Sequence, residues 1–367
     1  MGLAGNGRFK ITAISAGKDQ TLALLGSGEV LGWGGAGSGR VTSPYIDICS
    51  SLKSKDAKAV YITRPSRYIN ISAGYGVSLG ITDQNQAFIW GFCQVGIGGR
   101  KPFSEEPTFI DDIASPSKVV AGQFLHAAIG PAGQVYSWGF STDGALGRVS
   151  NQINASPGLV NLPAIRDIAI GDNFMLALSM GGDLYAWGSN SSGQLGIGHL
   201  NNVISPQPIH LLPKTLRIAA GSTHVLALTA DGDVFGWGSN HFGQVGIDKK
   251  PEKDSQAFIT RPLPVRIPER VVAVSAGMHY SLALGSSGRV YSWGWNGLGQ
   301  LGQGDLQSRS IPTRIPGVFG ISEISAGEAH AVAIGKGPLF GWGCNESGQL
   351  GDSATKQMTP NAFMATV

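Results

Sequence analysis

Seven Trp-Gly pairs punctuate this chain, at Trp33, Trp90, Trp138, Trp187, Trp237, Trp293 and Trp342, separated by 57, 48, 49, 50, 56 and 49 residues. A second marker precedes each one, a small or apolar pair ending in glycine, at Gly17, Gly74, Gly122, Gly171, Gly221, Gly277 and Gly327. The glycine leads the tryptophan by 16 residues in six copies and by 15 in the last. Two markers held in one register through seven copies define an internal repeat. A repeat of this period means that each unit is one supersecondary module that must bury its apolar face against its neighbours.

The unit reads as strands. In the sixth copy, "RVVAVSAG" and "SLALG" are apolar and β-branched or alternating, "SSG" is a tight turn, "RVYSWG" is a second aromatic strand, and "IPTRIPG" carries prolines that suit an outer edge. No stretch has helical periodicity. Four short antiparallel strands, A to D, repeated seven times, predict an all-β chain: a seven-bladed β-propeller of four-stranded antiparallel blades spanning residues 1–367. The tryptophan closes strand C and is expected to pack between blades. The glycines of "WGSNSSGQLGIG" then allow a sharp turn and a close approach to the next blade. Two intervals are long, and loop insertions are expected near residues 44–67 and 247–270, both rich in Lys and Arg. The terminal strands, around residues 10–15 and 361–367, are expected to lie side by side where the ring closes.

Composition narrows the function classes. Charged residues make up 14%, against roughly 25% in an ordinary soluble domain, and 55 glycines indicate a turn-dense chain. No apolar run reaches the length of a membrane span, and "MGLAGNGRFK" has no apolar secretion core, so neither a span nor a signal peptide is expected. Cys49, Cys93 and Cys344 are far apart and show no metal spacing, which suits a reducing compartment, cytoplasmic or nuclear. A net charge of +3 gives no reason to expect a specific nucleic-acid partner. A monomer is expected.

The segment "AGSTHVLALTADGDVFGWGSNHFGQVG", from Ala220 to Gly246, and "GWGCNESGQLG", from Gly341, resemble the repeat of the regulator of chromosome condensation family. The resemblance runs from about Arg8 to Val367 and is specific for the propeller fold. For function it implies a choice, because family members serve as an exchange factor for the small GTPase Ran, a plant ultraviolet-B photoreceptor, an inhibitory protein, or domains attached to ubiquitin ligases. The family's histidine after the marker glycine stands at His224 and His330, replaced elsewhere by Gln20, Val77, Leu125, Phe174 and Tyr280. In this family it is a hydrogen-bonded turn residue.

Apparent catalytic motifs carry little. "GVSLG" around Ser78 has the nucleophile-elbow pattern but falls at the start of a strand with no helix to follow. "GAGSGR" lacks the Lys-Ser/Thr of a phosphate loop. No carboxylate pair, triad or ligand cluster stands out, so no covalent chemistry, no metal and no cofactor are expected. What remains is protein binding. Chain direction puts the A–B turns and C–D loops on one face and the B–C turns and D–A links on the other. The first face is variable, and the binding candidates lie there: Phe124, Asp172, Asn173, Met278 and His279 on A–B turns, with His241 and Trp295 on C–D loops. The resemblance to the Ran exchange factor adds a wedge, Phe140, Ser141, Thr142, Asp143, Gly144, Ala145 and Leu146, with Asp172 as its acidic partner. The expected partner is a Ran-like small GTPase whose guanine nucleotide the protein would exchange. The alternative is another protein, held by a scaffold or inhibitor through the same face.

Overall fold

The structure, a computed structural model, describes residues 10–35, 60–62, 67–91, 104–140, 142–150, 154–210, 212–247, 257–336, 338–351 and 355–363. Seven four-stranded antiparallel sheets follow one another along the chain, each built from consecutive strands. Blade 1 is Ile11–Ala16, Gln20–Leu25, Val30–Gly34 and Val60–Ile62. Blade 7 is Glu323–Ala326, His330–Ile334, Leu339–Cys344 and Lys356–Phe363. The expected seven-bladed, all-β propeller is what forms. Strand B is buried along its whole length in blades 1 to 6, because both of its faces meet a neighbouring blade. That is why these runs read as continuous apolar sequence, without alternation. The outer strands of blades 2 to 7 each contain proline, at Pro107, Pro157, Pro206, Pro262, Pro312 and Pro360 among others. Proline cannot donate to a ladder, so it blunts an exposed sheet edge.

The core is divided among the junctions. Seven apolar clusters appear among the described residues, and each combines strands of two consecutive blades. The recurrent tryptophan sits in them, at most 1% exposed in all seven copies. Its role as a junction residue has a polar half as well. The indole Nε1 of Trp187, Trp237, Trp293 and Trp342 donates to the carbonyl of Ala145, Gln194, Gln244 and Gln300, at 2.9 Å in each case. The acceptor belongs to the C–D loop of the preceding blade, so the glycine-rich loop reaches forward and clasps the next tryptophan.

The second marker is explained at the axis. In "SAG" copies the serine accepts from the next blade's inner strand: Ser15, Ser72, Ser275 and Ser325 take the N–H of Ala73, Ala121, Ala326 and Ala16 at 2.9–3.0 Å. The glycine that follows lies so close to its neighbour that a Cβ at Gly17, Gly221 or Gly327 would stand 2.3–2.4 Å from the next marker glycine's carbonyl oxygen. Only glycine fits there. Backbone hydrogen bonds of 3.0–3.3 Å link six of the seven A–B turns to the next turn. Among the described residues the junction from blade 3 to blade 4 has none. There Ile170 stands where the other six copies have alanine, and it fills the space beside Gly122.

Two expectations need correction. The terminal strands do not pair. Ile11–Ala16 is the innermost strand of blade 1, bonded to strand B, whereas Lys356–Phe363 is the outermost of blade 7, bonded to strand C. The ring closes between inner strands instead. Ile14 N–H donates to Glu323 Oε1 at 3.1 Å, Thr21 Oγ1 lies 3.0 Å from His330 Nε2, and Thr21 Oγ1 donates to the Gln349 carbonyl at 2.8 Å. The stretches read as insertions also contain regular structure. Val60–Ile62 and Phe258–Val265 are the fourth strands of blades 1 and 5, while residues 36–59, 63–66 and 248–256 lie outside the described set.

Candidate functional site

The A–B turns converge on the axis and enclose a funnel of about 350 Å³. The residue after each marker glycine forms its rim: Lys18, Tyr75, Gln123, Asp172, Ser222, Met278 and Glu328. Seven copies of one turn therefore deliver seven different side chains to one mouth. Lys18 is held there by Tyr75, whose ring centroid lies 3.6 Å from its Nζ, and by Glu328 at 3.8 Å. Asp172 is half-buried on the far side of the rim. Desolvation raises its carboxyl pKa above the usual range, against the opposing hydrogen bond with Ser222.

Outward from the funnel, aromatic rings form two clusters. Phe124 lies 6.1 Å from Tyr75 and 5.5 Å, edge on, from Phe140, so one row of rings crosses blades 2 and 3. Phe242 lies 5.2 Å from His279 and 6.3 Å from Trp295, which joins blades 5 and 6. His241 packs edge on against Phe258 at 5.2 Å, and its Nδ1 lies 2.9 Å from Ser239 Oγ. Burial lowers the His279 pKa, with a further push from His241. Phe124 and Phe242 remain 37% and 41% exposed. Trp295 is half-buried, folded over its own Gly297 as well as against Phe242. Sequence reasoning did not single out Phe258, which opens the proline-bearing strand hidden inside the stretch read as an insertion.

The candidate wedge is a regular C–D loop. "GFSTDGALG" aligns with "GSNSSGQLG" of blade 4, and Gly147 N–H donates to Gly144 O just as Gly196 donates to Gly193. Ala145 and Leu146 are fully buried: Ala145 O is the clasp on Trp187, and both side chains belong to the junction core. They are corrected from contact residues to packing residues. Ser141 lies outside the described residues. Thr142 and Asp143 are exposed, Asp143 with φ 53° and a hydrogen bond from Asn202 Nδ2 at 3.1 Å. Gly144 is half-buried and packs on Ile204 of blade 4. Asn173 is half-buried at φ 55°. Phe174, next to it, is completely enclosed and offers nothing to a partner.

The buried histidines are latches. His224 Nε2 lies 2.9 Å from Ser281 Oγ and His330 Nε2 lies 3.0 Å from Thr21 Oγ1, in each case the following blade. Gln20 does the same work in blade 1, donating to Val77 O and Ser78 Oγ, and Tyr280 donates to His330 O. Burial depresses the pKa of His224 and His330 to about 3. Ser78, centre of the apparent nucleophile motif, is fully buried inside strand B and bonded to Gln20. Among the described residues no group of three or more His, Cys, Asp or Glu side chains could hold a metal.

The described face can be set beside known proteins. The family model of the RCC1-like domain matches residues 94–366. The ultraviolet-B receptor UVR8 of Arabidopsis thaliana is 32% identical over 317 residues, 81% of this chain and 70% of that protein. The human E3 ubiquitin-protein ligase HERC2 is 29% identical over 366 residues, 95% of this chain but 7% of that protein. Among solved structures, Prp20p of Saccharomyces cerevisiae, described with its binding to Gsp1p and histones, superposes with a TM-score of 0.79 at 23% identity, covering 88% of this chain and 82% of that one. Human WBSCR16 gives 0.78 at 23% identity, over 92% and 94%.

Proposed function

Because the chain belongs to the RCC1-like domain family, we propose that it is a protein-docking propeller that meets a folded partner with the A–B/C–D face. One observation carries this reading: two solvent-facing aromatic clusters, Tyr75–Phe124–Phe140 and Phe242–His279–Trp295, flank a polar funnel on that one face. Aromatic side chains are enriched at interfaces and among the anchors that carry their binding energy. A photoreceptor using exposed tryptophans is less well supported, because seven of the eight are enclosed at junctions and Trp295 stands alone.

The finer reading, guanine-nucleotide exchange on a Ran-like GTPase, is favoured by the half-buried Asp172 on the rim and the exposed Thr142–Asp143 tip of the next loop outward. Exchange needs no bond-making chemistry. A face that binds the nucleotide-free GTPase more tightly than the loaded one must loosen nucleotide by the same factor. The test is release of fluorescent GDP from a panel of purified Ran-like GTPases, with wild type and Asp172→Lys compared. Acceleration by wild type that the variant loses supports exchange. If nothing is accelerated, the docking reading stands or falls separately. A photo-crosslinking residue at position 124 or 242 must then give protein adducts that the same residue at position 231, on the other face, does not. Adducts from position 231 alone would refute it.

A further inference from the structure

The face of B–C turns and D–A links is built from short, stereotyped turns, yet its charge is sharply divided. Arg270, Arg289, Arg314, Lys336, Lys10 and Arg67 are all exposed along the arc from the blade 5–6 link round to the blade 1–2 link. The arc is physically continuous. Arg289 and Arg314 both act on Tyr291, Gly288 abuts Gly320, and Gly320 faces Lys336. Past the ring closure, Gly26 N–H bonds the Lys10 carbonyl, and Arg67 packs on Gly28. Glu29 and Glu269 are the acids inside it, Glu269 occupied by Ser287 and the Tyr291 hydroxyl, and Asp83 and Asp231 stand at its two ends, on the turns that bond Arg67 and Arg270. The remainder of the face exposes Asp111, Asp112 and Asp183, with Lys214 among them. The net charge of +3 conceals this separation.

Phe319 stands in the middle of the basic arc, 72% exposed. It is not a loose side chain. Its neighbours Val318 and Ile321 are buried in the junction core of blades 6 and 7, and Gly317 and Gly320 turn the chain at φ 74° and 67°. The loop is thus pinned on both sides and holds one large aromatic ring out into solvent. A ring on a flat face, surrounded by cations, matches a flat anionic surface into which a ring can dip: an apolar Phe ring buries at the headgroup–acyl boundary while Lys and Arg meet anionic lipid.

We propose that this second face docks peripherally on an anionic membrane, with Phe319 inserted among the headgroups and the basic arc on the lipid phosphates and carboxylates. No helix of the described residues is long and apolar enough to cross a membrane, and this contact needs none. It also leaves the aromatic face of the proposed protein partner unobstructed, so the two readings can fail independently.

The experiment is co-sedimentation of the full chain with phosphatidylcholine vesicles containing or lacking roughly 30% phosphatidylserine, an anionic fraction that gives the leaflet its negative potential. Wild type should pellet with the anionic vesicles alone and be released near 1 M salt, where the screening length is about 3 Å. Arg289→Glu with Lys336→Glu should weaken partitioning at least about 25-fold, from roughly fivefold per basic residue at such a surface. Phe319→Ser should weaken it several-fold while keeping the salt dependence. Asp111→Lys with Asp112→Lys should not weaken it, and unchanged melting temperatures would show all variants folded. Wild type that stays in the supernatant, pellets equally with neutral vesicles, or binds a DNA duplex and no vesicle would overturn the proposal. So would full binding by the Arg289/Lys336 variant.

Discussion

Gly193 and Gly196 lie three residues apart in the C–D loop of blade 4, at φ 75° and 68°. Placing alanine at either residue incurs the same left-handed backbone cost, about 1–2 kcal/mol. The two differ in what a Cβ would meet. At Gly193 the nearest atoms are Ile259 O and Thr260 Cα at 3.2 Å, so the outer strand of blade 5 need give only a few tenths of an ångström. At Gly196 the Cβ would stand 2.7 Å from Trp237 Nε1 and 3.0 Å from Cδ1. The indole is fully enclosed and cannot swing aside, and its N–H is bonded to Gln194 O at 2.9 Å. Overpacking adds about 1–3 kcal/mol, and loss of the clasp bond adds about 1–3 kcal/mol more. Gly193→Ala should therefore cost about 1–2 kcal/mol, and Gly196→Ala at least about 2 kcal/mol beyond that. Urea unfolding of both variants, followed by fluorescence and far-ultraviolet circular dichroism, measures the gap. Adding Trp237→Phe completes a double-mutant cycle: the smaller ring should recover part of the Gly196→Ala loss and none of the Gly193→Ala loss. Equal costs for the two alanines, or an additive cycle at Gly196, would refute the clasp as the reason for that glycine.

Acidification should destabilise the ring through its buried histidines. His126, His224 and His330 are held near pKa 3 by burial, against about 6.5 when unfolded, so the unfolded chain binds more protons between those values. Their contribution is complete above pH 6.5 and is lost as pH falls towards 3, by about 2 kcal/mol each at pH 5. Asp172 and Glu323, whose pKa values burial raises, oppose this weakly. His224→Gln with His330→Gln, copying Gln20 in blade 1, should flatten the melting temperature between pH 6.5 and 4; an unchanged slope would contradict the assignment. Deleting residues 274–367 removes a junction partner on each side of the gap and should unfold the remainder, so a soluble, cooperatively melting fragment would contradict the closed ring.

The fold was legible because its constraint recurs. A tryptophan at every junction and a glycine at every inner turn must repeat wherever the geometry repeats, so one sequence displays the same requirement seven times. The clasp was half legible: the indole and the glycines were visible, but the carbonyl that joins them carries no residue signature, and Ala145 serves as well as Gln194. For that reason the blade 3 loop read as a contact loop rather than a clasp: Phe140, Ser141, Thr142, Asp143 and Ala145 all differ from the "SNSSGQLG" form, and only Gly144, Leu146 and Gly147 match it. The binding face was legible in its direction, from strand order alone. It was less so in its membership, since Phe124 and Phe174 stand one repeat apart on neighbouring positions, one half-open and the other sealed against the axis. Phe258 and Phe319 escaped because their surroundings looked like connecting sequence. A net charge says nothing about how charges are distributed around a ring.

Ring closure shows how the repeat copes with its hardest step. The contact of Thr21 with His330 joins residues 309 apart, whereas the equivalent bond of Gln20 to Ser78 spans 58. Closing the longer loop costs about 1.5 kcal/mol more, taking (3/2)RT times the logarithm of that ratio. The closing junction carries polar contacts of several kinds. Beside the histidine latch it has Ile14 N–H on Glu323, Ala16 N–H on Ser325, Thr21 on the Gln349 carbonyl, Glu328 N–H on Gly17 O, and the Lys18–Glu328 pair. Ser15 and Ser72 supply the corresponding serine bond at the first two junctions, but no counterpart of the Glu323 contact is present there among the described residues. One or two extra hydrogen bonds, at about 1 kcal/mol each, offset the added entropy. The seventh junction can therefore hold without the two terminal strands sharing a sheet, and a blade built wholly from consecutive strands can close the circle.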